Sequence, residues 1–429
     1  MSAADPVWVG LDLGTQGARA LAVTAGGTVA GRGAQPLRSR RDGARHEQDP
    51  RQWWEAAAGA CRAALAGIAA ERVAGVATCA TSGTVLLVDA AGAPVTPALM
   101  YDDARAGEQA RRAGMGAAWG LPKLAWLLED DPALARTAHL AHQPDLVTRR
   151  LVGHGVATDE SHALKSGWDA EAGAWPAALL DALGIPARVL PQVVRSGALL
   201  GEVCAGAAAQ TGLPAGTPVV AGMTDGCAAQ LAAGALDDGA WNAVLGTTLV
   251  LKGASPRRIA DASGVLYCHR SPDGGWLPGG ASSSGAGVLA DRFAGRDLED
   301  LGRRAQAHED GAPVVYPLLA RGERFPFEAP DAVAFMLGEP AGDGEHFAAL
   351  LQGLAFVERL CLDYVSHLGA PVDGELSLTG GATRSRYWCQ LRADVLARPV
   401  RLPEQAESAF GMAILAAAAT RGRPCAGVA

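Results

Sequence analysis

Lysine is almost missing from this 429-residue chain: Lys123, Lys165 and Lys252 stand alone, and arginine supplies the other basic charge. Any recognition of phosphate must therefore lean on backbone amides, a metal ion and Arg. The pattern GxxxxGK[ST] is absent, which excludes a P-loop enzyme, and no GxGxxG follows a strand-like run, which disfavours a nicotinamide dehydrogenase. The eight cysteines form no CxxC pair and no Cys/His ligand spacing. They read as small buried hydrophobes in a reducing compartment, neither a disulfide frame nor a zinc site. No basic region followed by an apolar run opens the chain, so no secretory leader is read. No uncharged apolar stretch reaches membrane-spanning length. A net charge of −8 points away from nucleic acid and from anionic membrane surfaces. The expectation is a cytoplasmic soluble protein, a monomer or homodimer, whose partners are small molecules.

What is present is an ordinary globular composition, 49% apolar and 19% charged, in a chain too long for one core; two domains are expected. The run Val7-Trp8-Val9-Gly10-Leu11-Asp12-Leu13-Gly14-Thr15-Gln16-Gly17-Ala18-Arg19 is the most informative. It reads as a buried strand delivering Asp12 to a tight glycine turn, with a second strand folding back over about 17–24. Such a turn gathers backbone N–H groups into an anion-binding concavity. A carboxylate beside it makes sense if a divalent cation lies between carboxylate and phosphate. The same residues also fit a plain hairpin with Asp12 as a turn residue.

Strand and helix signals alternate through the first third: strands near 7–13, 17–24 and 28–30, a helix from about 51 to 70 introduced by Asp49-Pro50, then strands at 73–79 and 85–88. Three strands, a helix and a strand make a ribonuclease-H-like unit. Residues 104–150 read as helical with breaks. The pattern restarts near the middle. A strand at 218–222 leads to Asp225 at the head of a helix, and strands at 239–244 and 249–252 flank Gly246-Thr247-Thr248. That echo of the opening predicts duplication, each half offering a phosphate-binding hairpin. Asp225 fits a helix cap or a general base. A third glycine site, Gly380-Gly381, follows a strand at 375–378 and precedes a helix at 384–397. A short strand at 399–402 and a final helix at 409–420 complete the chain.

Eight segments in order resemble the FGGY carbohydrate kinases of the actin/hexokinase/Hsp70 superfamily: GLDLGTQGARA (10–20), TSGTVLLVD (81–89), GMTDGCAAQLAAGA (222–235), VLGTTLVLKG (244–253), GGASSSGAG (279–287), RGERFPF (321–327), LTGGATRSRYW (378–388) and SAFGMAILA (408–416). TSGTVLL, ALKSGW (163–168) and YPLLARGERFPF (316–327) resemble the D-ribulokinase, or xylulose kinase-like, subgroup of plants and cyanobacteria. The resemblance implies an α/β fold of two ribonuclease H-like domains with a ligand cleft between them. Residues 1–232, completed by 408–429, would form a sugar-binding domain and 233–407 a nucleotide-binding domain, hinged near 230–240 and 403–410.

By the same resemblance, Asp225 is the catalytic base and touches the sugar. Asp12 holds Mg²⁺ and lies beside the reacting hydroxyl. Ser82, Thr15 and Arg19 are further substrate-side residues, Ser82 standing where typical xylulokinases carry His. That replacement favours D-ribulose over D-xylulose. Gly14, Thr15, Gln16 and Gly17 form the first hairpin for the phosphates of ATP, and Gly246, Thr247 and Thr248 the second. Gly380, Gly381, Ser385 and Trp388 correspond to the adenosine segment, with Ala382 in place of a third glycine. Tyr101-Asp102-Asp103-Ala104-Arg105 falls near the sugar pocket of relatives, or is a charged helix start. Glu323-Arg324 reads as an interdomain loop, and His269 and Lys165 as structural. The reaction implied is phosphorylation of a ketopentose, D-ribulose first, at a terminal hydroxyl. The alternatives are another ketose or polyol, a catalytically silent sugar- or nucleotide-binding regulator, and, least supported, an actin-like filament protein.

Overall fold

The computed structural model describes residues 5–428 and divides into two units. The first runs through Ala232 and takes in the chain from Glu407 onward; the second is Ala233–Ala406.

The first unit is built on a six-stranded sheet. Its strands are β1 (Val7–Leu13), β2 (Gly17–Thr24), β3 (Val29–Pro36), β4 (Val73–Ala80), β5 (Leu199–Glu202) and β6 (Pro218–Val220), in the order β5-β6-β4-β1-β2-β3. β1 is buried along its whole length, which explains its unbroken apolar reading in place of alternation. β1, β2 and β3 form an antiparallel meander, whereas β4 lies parallel to β1 and β6 parallel to β4. Parallel neighbours need long crossovers, and the first is supplied by helix α1 (Arg51–Ala64). This helix ends at Ala64, short of the expected 70, because Gly67 turns the chain with φ +80°.

Helices sit unusually close to this sheet because the facing residues are Gly and Ala. A Cβ placed on Gly10 would fall 1.7 Å from the carbonyl oxygen of Ala409 in the last helix, α6 (Ser408–Arg421). A second, antiparallel sheet gathers Ser39–Asp42, Arg45–Gln48, Ala98–Leu99, Val85–Val88 and His139–His142. Val85–Val88 thus leaves the main sheet, and the stretch 104–150, expected to be helical with breaks, also contains the strand His139–His142.

The second unit repeats the plan. Its sheet runs β9-β10-β8-β7-β11-β12, with β7 Trp241–Leu245, β8 Leu249–Gly253, β9 Tyr267–Arg270, β10 Trp276–Ala281, β11 Leu376–Thr379 and β12 Val400–Arg401. Set β9 aside, and β10-β8-β7-β11-β12 matches β3-β2-β1-β4-β6, with the same antiparallel meander and the same parallel additions. The echo of strand, Gly-Thr turn and strand is therefore a repeat of topology. A 25-residue helix, Asp343–His367, and a shorter one, Arg386–Leu396, pack together through a buried ion pair, Arg392 Nε to Glu358 Oε2 at 2.6 Å.

Candidate active site

In the first unit, β1, β4 and β6 lie side by side and point the same way, so their C-terminal ends share one edge. Open α/β sheets bind ligands at such edges. Asp12, next to last in β1, pairs in register with Cys79 of β4, and Thr224, four residues past β6, bridges to Ala80. Asp225 follows as the first residue of α3 (Asp225–Ala232). The strand alignment thereby brings together two carboxylates far apart in the chain. Gly222 makes the approach possible, since a Cβ there would lie 1.8 Å from the Thr78 carbonyl oxygen. The last helix completes the corner: Ser408 Oγ donates to the Asp225 carbonyl at 3.0 Å.

Asp12 is only 8% exposed. Burial, reinforced by the negative charge of Asp225, pushes its carboxyl up to about 6, against the opposing pull of Arg19. Arg19 is its cross-strand partner and reaches Asp12 Oδ2 with Nη1 at 3.3 Å. Beneath them the Cys79 thiol donates to the Leu11 carbonyl at 3.4 Å and faces Asp12 Oδ1 at 3.6 Å. Burial raises that thiol far above its ordinary value, so it remains a donor. Nothing in the sequence pattern places a cysteine under the carboxylate.

The first hairpin turn is closed by Gly14 N–H donating to the Gly17 carbonyl at 3.0 Å. Thr15 is half-buried and Gln16 exposed. The turn is anchored from behind by a residue that sequence reasoning missed. Gln48 Nε2 donates to the Thr15 carbonyl at 2.8 Å, while Gln48 Oε1 accepts from the Trp53 indole at 2.7 Å.

Ser82 lies half-buried in the turn after β4. Lys123 braces that turn and the 100–101 segment, its Nζ donating to the carbonyls of Gly83, Met100 and Tyr101 at 2.9, 2.6 and 3.0 Å. The run 101–105 is not a helix start, since the next helix begins at Gly107. Asp103 instead accepts from the His46 backbone at 2.8 Å and pairs with Arg105, which also meets Glu47 at 2.7 Å.

The second unit presents the matching hairpin. Gly246–Thr248 links β7 to β8, with Thr247 exposed. Its support is the Ser-rich loop after β10: Ala286 N–H donates to the Gly246 carbonyl at 2.8 Å, and Leu249 N–H to Ser284 at 2.8 Å. Glu323, only 2% exposed, organises that loop by accepting from Ser283 N–H (2.6 Å), Ser282 Oγ (2.9 Å) and the Tyr316 hydroxyl (2.8 Å). The segment expected to bridge domains is therefore an internal brace of the second unit.

β11 lies parallel to β7 and ends beside the hairpin at exposed Gly380 and Gly381. Gly380 has φ +87°, and a Cβ would meet the Leu245 carbonyl at 2.6 Å, so only glycine fits. Ser385 caps the following helix, α5 (Arg386–Leu396), its Oγ accepting from Trp388 N–H at 3.2 Å. Trp388 is 4% exposed and its indole donates to the Leu351 carbonyl at 3.2 Å. The structure thus gives both side chains work inside the unit.

Among the described residues no three His, Cys, Asp or Glu side chains converge as a closed metal cage. Two carboxylates sharing a buried edge nevertheless leave an excess of negative charge, and a hard cation completed by water and phosphate oxygens suits that donor set.

The comparisons with known proteins agree with this arrangement. Residues 7–232 match the N-terminal domain, and 241–420 the C-terminal domain, of the FGGY family of carbohydrate kinases. The second match includes α6, which packs in the first unit. A xylulose kinase of Streptomyces coelicolor is 34% identical over all of this chain and 91% of its own length. A xylulose kinase of Escherichia coli is 27% identical over 91% of this chain and 84% of its own. The crystal structure of xylulose kinase from Rhodospirillum rubrum superposes with a TM-score of 0.87 at 27% identity, covering 98% of this chain and 91% of that one. With both halves matched, and with the duplicated hairpins and paired aspartates in place, the chain belongs to the FGGY family and is a sugar kinase.

Proposed function

We propose that this protein is an ATP-dependent ketopentose kinase acting on D-xylulose. The D-ribulose expectation rested on Ser82 standing where typical xylulokinases carry His. Against it, relatives at 34% and 32% identity, each aligned over the whole chain, are xylulose kinases. Whole-chain similarity outweighs one half-buried serine in a turn.

The observation that carries the mechanism is the shared edge of Asp12 and Asp225. Asp225, at the head of α3, accepts the proton of a terminal sugar hydroxyl. As it does so, the hydroxyl oxygen bonds to the γ-phosphorus of ATP and the bridging oxygen leaves with ADP. Catalysis here is mainly positioning and charge neutralisation. Asp12 would hold Mg²⁺ together with phosphate oxygens and water, and the ion supplies neutralisation of the transferring phosphoryl group. In the Gly14–Gly17 and Gly246–Thr248 turns, the amides that follow the turn-closing N–H groups of Gly14 and Gly246 provide donors for phosphate oxygens, a role lysine cannot fill in this chain. Gly380 and Gly381 give backbone access for the nucleoside, while Ser385 and Trp388 set the helix behind them. Arg19, Thr15 and Ser82 line the sugar side.

The test is ADP release measured with D-xylulose, D-ribulose, L-xylulose and a polyol, with Asp225→Asn as the control. D-Xylulose should give the highest kcat/KM. A preference for D-ribulose would return the assignment to the expectation from Ser82, and no sugar-dependent turnover would refute the reading.

A further inference from the structure

His162 lies in the short helix α2 (Glu160–Leu164) and is fully buried, yet none of the roles above uses it. Its two ring nitrogens face two groups that can only accept. Nδ1 is 2.8 Å from Asp159 Oδ2, and Nε2 is 3.3 Å from the carbonyl oxygen of Ala80 at the end of β4. A neutral imidazole has one N–H and one lone pair, so it satisfies one of these and sets a lone pair against the other; imidazolium satisfies both.

The neighbouring ring differs. His142 lies 5.9 Å away between centroids and meets the hydroxyls of Thr158 at 2.9 Å and Ser166 at 2.7 Å, besides Asp145 at 3.2 Å. A hydroxyl can both donate and accept, so the partners of His142 do not call for an N–H on each of its nitrogens, whereas His162 faces acceptors on both sides.

The same helix grips the strand end that carries the proposed base. Ser161 Oγ accepts from Thr224 N–H at 3.1 Å and lies 3.1 Å from Thr224 Oγ1, with both residues buried. We propose that His162 is a permanently protonated imidazolium, locked between Asp159 and the Ala80 carbonyl, that supplies a fixed positive charge behind the Asp12–Asp225 edge in a chain nearly without lysine. Burial opposes that charge, but Asp159, Asp145 and Asp225 all favour it, and the net effect raises the ring above its ordinary value. His162 is a positioning residue: it touches no reacting atom, and it acts through the Ala80–Thr224 bridge and through the field at Asp225. The functional part of this inference rests on Asp225 being the base; the charge state does not.

Two measurements test it on the full-length protein. In ¹⁵N-histidine NMR, with the His162 signal assigned by its loss in His162→Gln, both ring nitrogens should remain protonated through pH 8. In kinetics, His162→Asn keeps a donor toward Asp159 and His162→Gln keeps reach toward Ala80, yet both are neutral. Each should lower kcat on the order of tenfold while KM for ATP stays within about twofold. A single N–H on His162 at pH 7.5 would overturn the proposal, as would either neutral variant turning over at the wild-type rate. If neither variant folds, the NMR result on the wild type decides, with the His162 signal assigned by through-space contacts to the His142 ring, 5.9 Å away between centroids. Should Asp225→Asn remain active, the base assignment fails while the NMR outcome still stands.

Discussion

Replacing Asp12 by Asn should make the ligand-free protein relatively more stable as pH rises, while abolishing turnover. Asp12 binds its proton more tightly in the folded protein, near pH 6, than an ordinary aspartate does in the unfolded chain, near pH 3.8. A carboxyl raised in this way contributes stability that is fully present below about pH 4 and is lost as pH climbs through 6. Asparagine cannot ionise and keeps its contribution at every pH. Two pK units correspond to about 3 kcal/mol at about 1.4 kcal/mol each, an upper figure for the change in the stability difference between pH 4 and 7.5. The ion pair with Arg19 is already included in that value, because Arg19 is one of the groups pulling the carboxyl down.

The assay is urea unfolding followed by tryptophan fluorescence, Trp8 and Trp53 being buried in the same unit. Wild type and variant are compared from pH 4.5 to 8, with and without Mg-ATP. The gap should open between pH 4.5 and 7 in favour of Asn, and Mg-ATP should narrow it by binding the ionised carboxylate. Parallel curves, or a variant that loses ground as pH rises, would refute the crowding of negative charge at this edge.

Asp225→Asn should leave urea unfolding of the first unit nearly unchanged while lowering turnover on the order of 10²–10⁴-fold; near-normal turnover would remove Asp225 as the base. Gly222→Ala should force β6 away from β4 against the Thr78 carbonyl, destabilising by about 1–3 kcal/mol and lowering kcat along with stability. An unstrained, active Gly222→Ala enzyme would show that the strand contact does not set the position of Asp225. In the second unit, Arg392→Met strands the buried Glu358 charge and should cost about 3–5 kcal/mol, whereas adding Glu358→Leu should recover much of the loss. A double-mutant cycle reads this directly, and equal losses in single and double variants would contradict it.

Local chemistry was legible wherever a short segment carries its own instructions. The strands at 7–13 and 17–24 match the structure to the residue, because a mostly apolar run, a glycine turn and a second mostly apolar run favour a hairpin. The helix from Asp225 was equally plain. The strand His139–His142 was not, since four residues in a helix-rich stretch carry no period of their own and become extended only by pairing with Val85–Val88. Glu323 looked like loop punctuation because nothing nearby in sequence shows that Ser282, Ser283 and Tyr316 converge on it.

By itself the sequence determined the two hairpins and the duplication they betray, and it singled out Asp12 and Asp225 as candidates, because turn chemistry and strand patterning act over a few residues. Tertiary structure alone decided that Asp12, Cys79 and Asp225 share one edge, through the parallel register of β1, β4 and β6. It likewise decided that His162 faces two acceptors and that Gln48 and Glu323 brace the two hairpins. Which strands become neighbours depends on packing across the whole sheet, and only that packing sets the distances on which charge and proton affinity depend.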